Sequence, residues 1–324
     1  MEPIASIPLE AIEAARDRIA DAAIRTPLLP LECPEAACEV WIKLECLQPI
    51  GSFKIRGATN AMALADPGEL AKGVYTGSAG NMAQGVAFNA RRLGIECRVV
   101  VPDTAPRAKL DAMVRLGATP VPVPFDEWWS VIRDHGHPKE RGFFVHPVAD
   151  PAVIAGNGTI GLEILEQLPD VSAVVVPYGG GGLSCGIASA IKATRDDVQV
   201  HAAEVDTAAP LAASIAARRP VDVDHVRTFV DGIGGRGVLP EMWPLASSLL
   251  DGSLVVSVEQ ICDAIKTLVT RAHVVAEGAG AAAVAAALSG GAGDGAPRGK
   301  VVAVVSGGNL DASALAAILE GGTP

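Results

Sequence analysis

The run Val174-Val175-Val176-Pro177-Tyr178 is followed by four consecutive glycines, Gly179, Gly180, Gly181 and Gly182, and then by Leu183. The β-branched apolar run reads as a buried strand, and residues 183–194 read as a helix. Glycines at such a junction strip the side chains from the start of the helix. Exposed backbone N–H groups and the positive end of the helix dipole then favour a bound phosphate. A turn alone needs one or two glycines, and this run sits at the carboxyl end of a strand, where α/β sheets bind ligands. No G-x-G-x-x-G opens the first strand–helix unit and no G-x-x-x-x-G-K-[ST] is present, so a dinucleotide and a P-loop nucleotide are both disfavoured. The phosphate belongs to something smaller.

The second feature is Gly51-Ser52-Phe53-Lys54-Ile55-Arg56-Gly57-Ala58. Lys54 lies between two apolar residues at the start of a predicted helix, Phe53 to Leu64. Burial lowers the pKa of a lysine and frees its amine as a nucleophile. Alone, the segment fits a surface lysine with a snorkelling stem better. Beside a phosphate loop, a buried lysine points to a Schiff base with pyridoxal 5′-phosphate (PLP).

The elements that must carry these residues follow from the rest of the chain. Its 324 residues suggest two domains or one large α/β unit. The net charge is −11, so no basic surface for nucleic acid is expected. Hydrophobic residues make up 49% of the chain and aromatics only 4%, a composition suited to buried parallel strands and tightly packed helices. The six cysteines form no C-x-x-C pair and read as reduced thiols of a cytoplasmic protein. The opening MEPIASIPLE lacks the pattern of a signal peptide, and no apolar run suits a membrane span. Helices are expected at Leu9–Ala23, Asn81–Leu93, Arg107–Leu116, Glu127–Asp134, near Gly158–Leu168, and at Val258–Ala272, Ala279–Leu288 and Ser313–Leu319. Strands are expected at Glu39–Leu44, Val74–Thr76, Arg98–Val101, Thr119–Val123, Phe143–Val145, Ala173–Val176, Val198–Val205 and Val301–Val305. Such alternation means parallel sheets covered on both faces. Pro138–Gly142 and Gly290–Gly299 read as loops.

The SFKIRGA segment, the loop Ser78-Ala79-Gly80-Asn81, the GGGGL run and Ser306-Gly307-Gly308-Asn309 together resemble the fold type II PLP enzymes, specifically the threonine/serine dehydratase and serine racemase group. The resemblance runs from Arg25-Thr26-Pro27-Leu28-Leu29 nearly to the end of the chain. It implies a tryptophan synthase β-like α/β fold with two parallel-sheet, three-layer domains. Residues 1–66 and 145–324 would form a large PLP-binding domain, and residues 67–144 a small domain closing over the substrate. A homodimer is implied as well.

By the same resemblance, Lys54 would be the Schiff-base lysine and the base that removes the substrate α-proton. Phe53 would pack on the pyridine ring, Asn81 would meet the phenolic oxygen, and Gly179, Gly180, Gly181, Gly182 and Leu183 would cradle the phosphate. Ser306 would face the pyridine nitrogen, and a neutral serine there favours elimination over deeper carbanion chemistry. Ser78, Ala79, Gly80, Asn81 and Met82 would form the substrate loop, with Gly232 lining the substrate side. Glu277 matches a family glutamate whose role is open between the site and a helix-start charge.

Three departures from the family pattern carry information. Ala79 replaces the serine that serves as the opposite-face acid/base in racemases, and a methyl group cannot move a proton. Met82 replaces a histidine, either as helix packing or as the wall of a pocket for a bulky β-substituent. Pro210 stands where the family's cation site has an aspartate, with Glu204 matching the glutamate and Asp206 out of register, so a weak metal site or none is expected. Biosynthetic dehydratases of the group carry a C-terminal regulatory domain; this sequence ends at Pro324, and isoleucine control through such a domain is not expected. The expected activity is elimination from a β-hydroxy-α-amino acid (threonine, serine, hydroxyaspartate or an aryl-serine such as phenylserine) to a 2-oxo acid and ammonia. The alternatives are an amino-acid racemase, a β-replacing synthase and a non-catalytic PLP-binding protein.

Overall fold

A computed structural model describes residues 3–289 and 297–324. Most of the loop expected at 290–299 lies outside the described residues. The chain begins with α1 (Leu9–Ile19), β1 (Leu28–Pro30), β2 (Glu39–Lys43), α2 (Lys54–Leu64) and the single turn α3 (Pro67–Leu70). It continues through β3 (Val74–Gly77), α4 (Asn81–Leu93), β4 (Cys97–Pro102), α5 (Arg107–Arg115), β5 (Thr119–Val123), α6 (Phe125–Arg133) and β6 (Phe143–Phe144). Then come α7 (Pro151–Gln167), β7 (Ala173–Pro177), α8 (Ser184–Thr194), β8 (Gln199–Val205), α9 (Pro210–Ala217), α10 (Trp243–Leu249) and β9 (Gly252–Val256). The last elements are α11 (Val258–Thr267), α12 (Gly278–Ser289), β10 (Lys300–Val304) and α13 (Ala312–Leu319).

The strands form a six-stranded sheet, β1-β2-β10-β7-β8-β9, and a four-stranded sheet, β5-β4-β3-β6. Every pairing is parallel except β1 with β2. The large sheet is buried on both faces because alternate residues of a strand point to opposite sides. Val174, Val176, Val200, Ala202, Val302 and Val304 join one apolar cluster with α7 and α8. Ala173, Val175, Ala203, Val205, Val301 and Ala303 join another with α11 and α12. Helix, sheet and helix thus make three layers. The small sheet packs Val74, Val99 and Val101 on the side of α2 and α4, and Tyr75, Val100 and Val123 on the side of α6.

Some elements differ from the sequence reading. Helix α7 starts at Pro151, earlier than its apolar periodicity indicates. There Asp150 caps the helix by accepting from the Ala152 N–H at 2.7 Å, and Pro151 fills the first position, where no N–H is needed. Strands β1 and β9 and helices α3, α9 and α10 are not expected from the sequence; β1 and α3 are only three and four residues long. Helix α1 ends at Ile19, yet Ala22 and Ala23 beyond it stay buried. The helix expected to reach Ala272 keeps α geometry only to Thr267, and Leu268–Ala272 widens into a π turn. All six cysteines are free thiols. Among the described residues, no helix is long and apolar enough to cross a membrane.

Candidate active site

Parallel strands place all their carboxyl ends at one edge of a sheet. Strand β3 delivers Ser78 to Gly80, β7 delivers Tyr178 to Gly182, and β10 delivers Val305 and Ser306. The turn before α2 is tied to that last segment: the Phe53 N–H donates to the Ser306 carbonyl at 3.0 Å, and Gly308 N–H donates to Gly51 O at 2.8 Å. Lys54 therefore starts its helix beside Ser306, and the partly buried Lys54 Nζ donates to the Pro147 carbonyl at 2.7 Å. Burial lowers its pKa to about 8, against the opposing pull of Glu277. Its ammonium also lies 5.1 Å from the centre of the Phe53 ring.

The glycine run is shaped by close approach. A Cβ on Gly180 would sit 2.6 Å from the Val148 side chain, and one on Gly182 would sit 2.9 Å from the Val148 carbonyl. Gly181 has φ +97°, a conformation costly for any other residue. Asn157 Nδ2 donates to Gly182 O at 3.1 Å and fixes the far end of the run. No side chain caps the start of α8 at Leu183; the Cys185 N–H donates to the Gly181 carbonyl at 2.9 Å, and the glycine run before it presents backbone with no side chain in the way of a ligand. The phenol of Tyr178, 1% exposed and without a hydrogen-bond partner, lies beside Gly181. Gly232 packs against this cradle, since a Cβ on Gly179 would sit 3.0 Å from the Gly232 carbonyl.

Across the cleft, the Ser78 hydroxyl accepts from the Gly80 N–H at 3.2 Å, and Gly80 opens α4 with no side-chain cap. That end of α4 suits a carboxylate. Asn81 Nδ2 donates to Glu277 Oε1 at 2.7 Å, while Asn81 Oδ1 accepts from Asn309 Nδ2 at 2.7 Å. One amide N–H of Asn81 is left for another acceptor. Burial pushes Glu277 up to about 7, and nearby Asp231 adds to the rise. Ala79 is partly buried against the apolar cluster of the small sheet. Met82 is 1% exposed and belongs to that cluster with Ala58, Met62 and Val86, so packing is what the structure records for it.

Glu204 lies on β8, next to Ala203, whose carbonyl accepts from the Tyr178 N–H at 2.9 Å. Its carboxylate accepts from the N–H groups of Leu211 and Ala212, each at 2.8 Å, and from the Ser253 hydroxyl at 2.6 Å. It serves as the N-terminal cap of α9, and burial raises its pKa.

Four features of the site escaped the sequence reading. Arg56, two residues after Lys54, is 1% exposed and pairs with Glu45 at 2.8 Å and Glu163 at 2.6 Å. Lys43 pairs with Glu163 at 2.5 Å, which balances the buried charges two against two. Burial alone would raise Glu45, but Arg56 holds it below the usual carboxylate range. Asn309 bridges Asn81 and the Ile50 carbonyl. Lys109 on α5 forms an ion pair with Asp231, the neighbour of Gly232. His146 organises the loop under Lys54. Arg56 and Asn309 at least lay inside the quoted motifs; the pairing of the others left no local signal.

A lysine with a softened amine, an uncapped glycine cradle at a helix start and a second open helix start across the cleft fit a phosphorylated aldehyde cofactor and a carboxylate substrate. The comparisons agree on the class. The family described as "Pyridoxal-phosphate dependent enzyme" matches residues 19–307, and the chain belongs to it. Its cofactor is pyridoxal phosphate. The chain is 40% identical to an L-threonine ammonia-lyase of Geobacter sulfurreducens over 98% of its own length and 79% of that protein's. Among solved structures it is similar to maize serine racemase, at TM-score 0.88 and 32% identity over 96% of both chains. It is also similar to a threonine deaminase from T.th., at TM-score 0.85 and 35% identity over 94% of this chain and 98% of that one.

Proposed function

We propose that this protein is an ammonia-lyase that converts a β-hydroxy-α-amino acid of the threonine or serine type to a 2-oxo acid and ammonia. The observation that carries the reading is a partly buried Lys54 amine with a lowered pKa in a chain whose substrate loop has Ala79 where a racemase would need a proton donor. Lys54, with its pKa near 8, holds a substantial neutral fraction close to physiological pH and can accept the α-proton. Ala79 offers nothing to return that proton from the opposite face. The curated relative named above is an ammonia-lyase, which supports the same reaction class.

Lys54 and Phe53 would hold the cofactor ring, with Gly179, Gly180, Gly181, Gly182 and Leu183 at its phosphate, Ser306 at its ring nitrogen and Asn81 at its phenolic oxygen. When bound, the cofactor withdraws electron density from the substrate α-carbon. The residues of this chain do the rest. Ser78, Ala79, Gly80 and Asn81 present the start of α4 to the substrate carboxylate. Pro147 O orients the Lys54 amine. Glu277, with a pKa near 7, exists in both protonation states near neutrality and keeps Asn81 in place. Residues 67–144 would act as the closing domain, and the enzyme would work as a homodimer.

Racemisation is the second reading, because one of the similar structures is a serine racemase. The test is a panel of threonine, serine, threo-3-hydroxyaspartate and phenylserine, scored for 2-oxo acid, ammonia and change of chirality. Release of both products from at least one substrate supports the lyase, and that substrate names the side chain accepted. Chirality change without 2-oxo acid would overturn elimination in favour of a racemase. Neither change, with the cofactor bound, would leave a β-replacing synthase or a non-catalytic binder. Borohydride reduction of the wild-type holoenzyme should leave a cofactor adduct that maps to Lys54, and Lys54→Ala should abolish both the adduct and turnover.

A further inference from the structure

The segment Pro147-Val148-Ala149 touches both halves of the candidate cofactor site. Pro147 O receives the Lys54 amine, and Val148 forms the floor against which Gly180 and Gly182 close. One side chain holds this segment. His146, 2% exposed, accepts from the Val148 N–H at 3.0 Å and the Ala149 N–H at 2.6 Å through Nδ1. Its Nε2 lies 3.1 Å from the Ile132 carbonyl near the end of α6. A carbonyl only accepts, so Nε2 carries the proton, and the single lone pair of Nδ1 is shared by the two N–H donors in a bifurcated hydrogen bond. Three groups face the ring: His135 stacks on it at 4.0 Å between centres, the Phe144 edge lies at 6.0 Å, and the Lys54 charge is close enough to disfavour protonation. Burial is the main cause that holds its pKa down at about 3, so the imidazole is neutral in the working range.

We propose that His146 is a positioning residue: its neutral ring clamps the Pro147–Ala149 segment and so sets both the Lys54 amine and the floor of the glycine cradle. The inference rests on Lys54 as the cofactor lysine. It adds a specific demand, namely an acceptor at the Nδ1 position with no positive charge. Asparagine can place its Oδ1 close to that position. Glutamine reaches instead toward Nε2, and leucine offers no acceptor.

The test uses full-length His146→Asn, His146→Gln and His146→Leu, each checked for its thermal midpoint. The apoproteins are titrated with pyridoxal 5′-phosphate, and the protonation midpoint of Lys54 in the apoprotein is read by pH-dependent acylation and mass spectrometry. His146→Asn should bind the cofactor within about threefold of wild type. His146→Gln and His146→Leu should bind roughly tenfold or more weakly, the scale of losing partners for buried N–H groups. In those two variants the Lys54 midpoint should rise toward the ordinary lysine value as water enters, and kcat should fall more than KM rises. Should His146→Leu not fold, the contrast between asparagine and glutamine carries the test. Glutamine and leucine variants matching wild type in both readouts would overturn the proposal, as would an asparagine variant as impaired as the leucine one. A wild-type borohydride adduct that maps away from Lys54 would overturn the lysine assignment and this inference with it. A failure confined to the variants overturns only the role of His146.

Discussion

The amide of Asn81 and the carboxylate of Glu277 meet at 2.7 Å across 196 positions of sequence. The bond joins the first residue of α4, beside the small sheet, to the residue just before α12, under the large one. Asn309 closes the arrangement from the other side of Asn81. One small network thus links the substrate loop, a titrating carboxyl group and the segment that follows Ser306.

That network has a pH signature. Glu277 has a pKa near 7 when folded, against an ordinary value of 4.5. Between those values the folded protein binds more protons than the unfolded one, so stability falls as pH rises through the window. Glu277→Gln keeps an acceptor for Asn81 and removes the titration. Urea unfolding at several pH values should show wild type losing about 1–3 kcal/mol relative to the variant between roughly pH 4.5 and 7. Parallel curves for the two proteins would mean that Glu277 titrates normally.

The cradle makes a packing prediction. Gly180→Ala forces a methyl group to within 2.6 Å of the Val148 side chain. The loop must shift, and cofactor affinity should drop roughly tenfold or more, in line with the cost of overpacking. Adding Val148→Ala removes the methyl groups in the way and should recover part of the loss. Cofactor titration of the two single variants and the double variant reads this directly. Strictly additive effects would show that the two residues do not press on each other.

The Arg56 network predicts a large loss of stability. Arg56→Met leaves Glu45 and Glu163 facing each other in a buried site with only Lys43 to offset them. Breaking a buried pair by removing one partner costs about 3–5 kcal/mol. Denaturant unfolding of the apoprotein should show a midpoint shift of that size. A shift under about 1 kcal/mol would mean that water or a neighbour resolves the charge.

What was legible in the sequence had local chemistry. The GGGGL run stands out because a phosphate loop needs glycines at one point between a strand and a helix, whereas Lys54 alone reads as a surface lysine and takes its expected role only beside that run and from the family resemblance. The β7 and β10 strands could be read because a strand covered on both faces must be apolar throughout. Long-range pairing left no such trace. Arg56 reads as an ordinary helix residue until Glu163, 107 positions away, is placed against it. His146 looks like a stray histidine before a proline until Val148, Ala149 and Ile132 close around it. Met82, for which the sequence left both helix packing and a pocket wall open, lies in the core of the small sheet.

The ion pair of Lys109 with Asp231 joins α5, beside the small sheet, to the residue beside Gly232. Both partners are partly solvent-exposed, at 35% and 56% of their side chains, so its worth in stability is small, about 0–1 kcal/mol. Its leverage is geometric, because Asp231 carries Gly232 against Gly179. Lys109→Asp alone sets two like charges side by side and should raise KM several-fold with a smaller change in kcat. Lys109→Asp combined with Asp231→Lys restores opposite charges in reversed order and should bring KM back toward wild type. Salt should weaken the wild-type interaction and narrow the gap between wild type and the single variant. A double variant no better than the single one would place the effect in the local fit of Lys109 instead of in its attraction to Asp231.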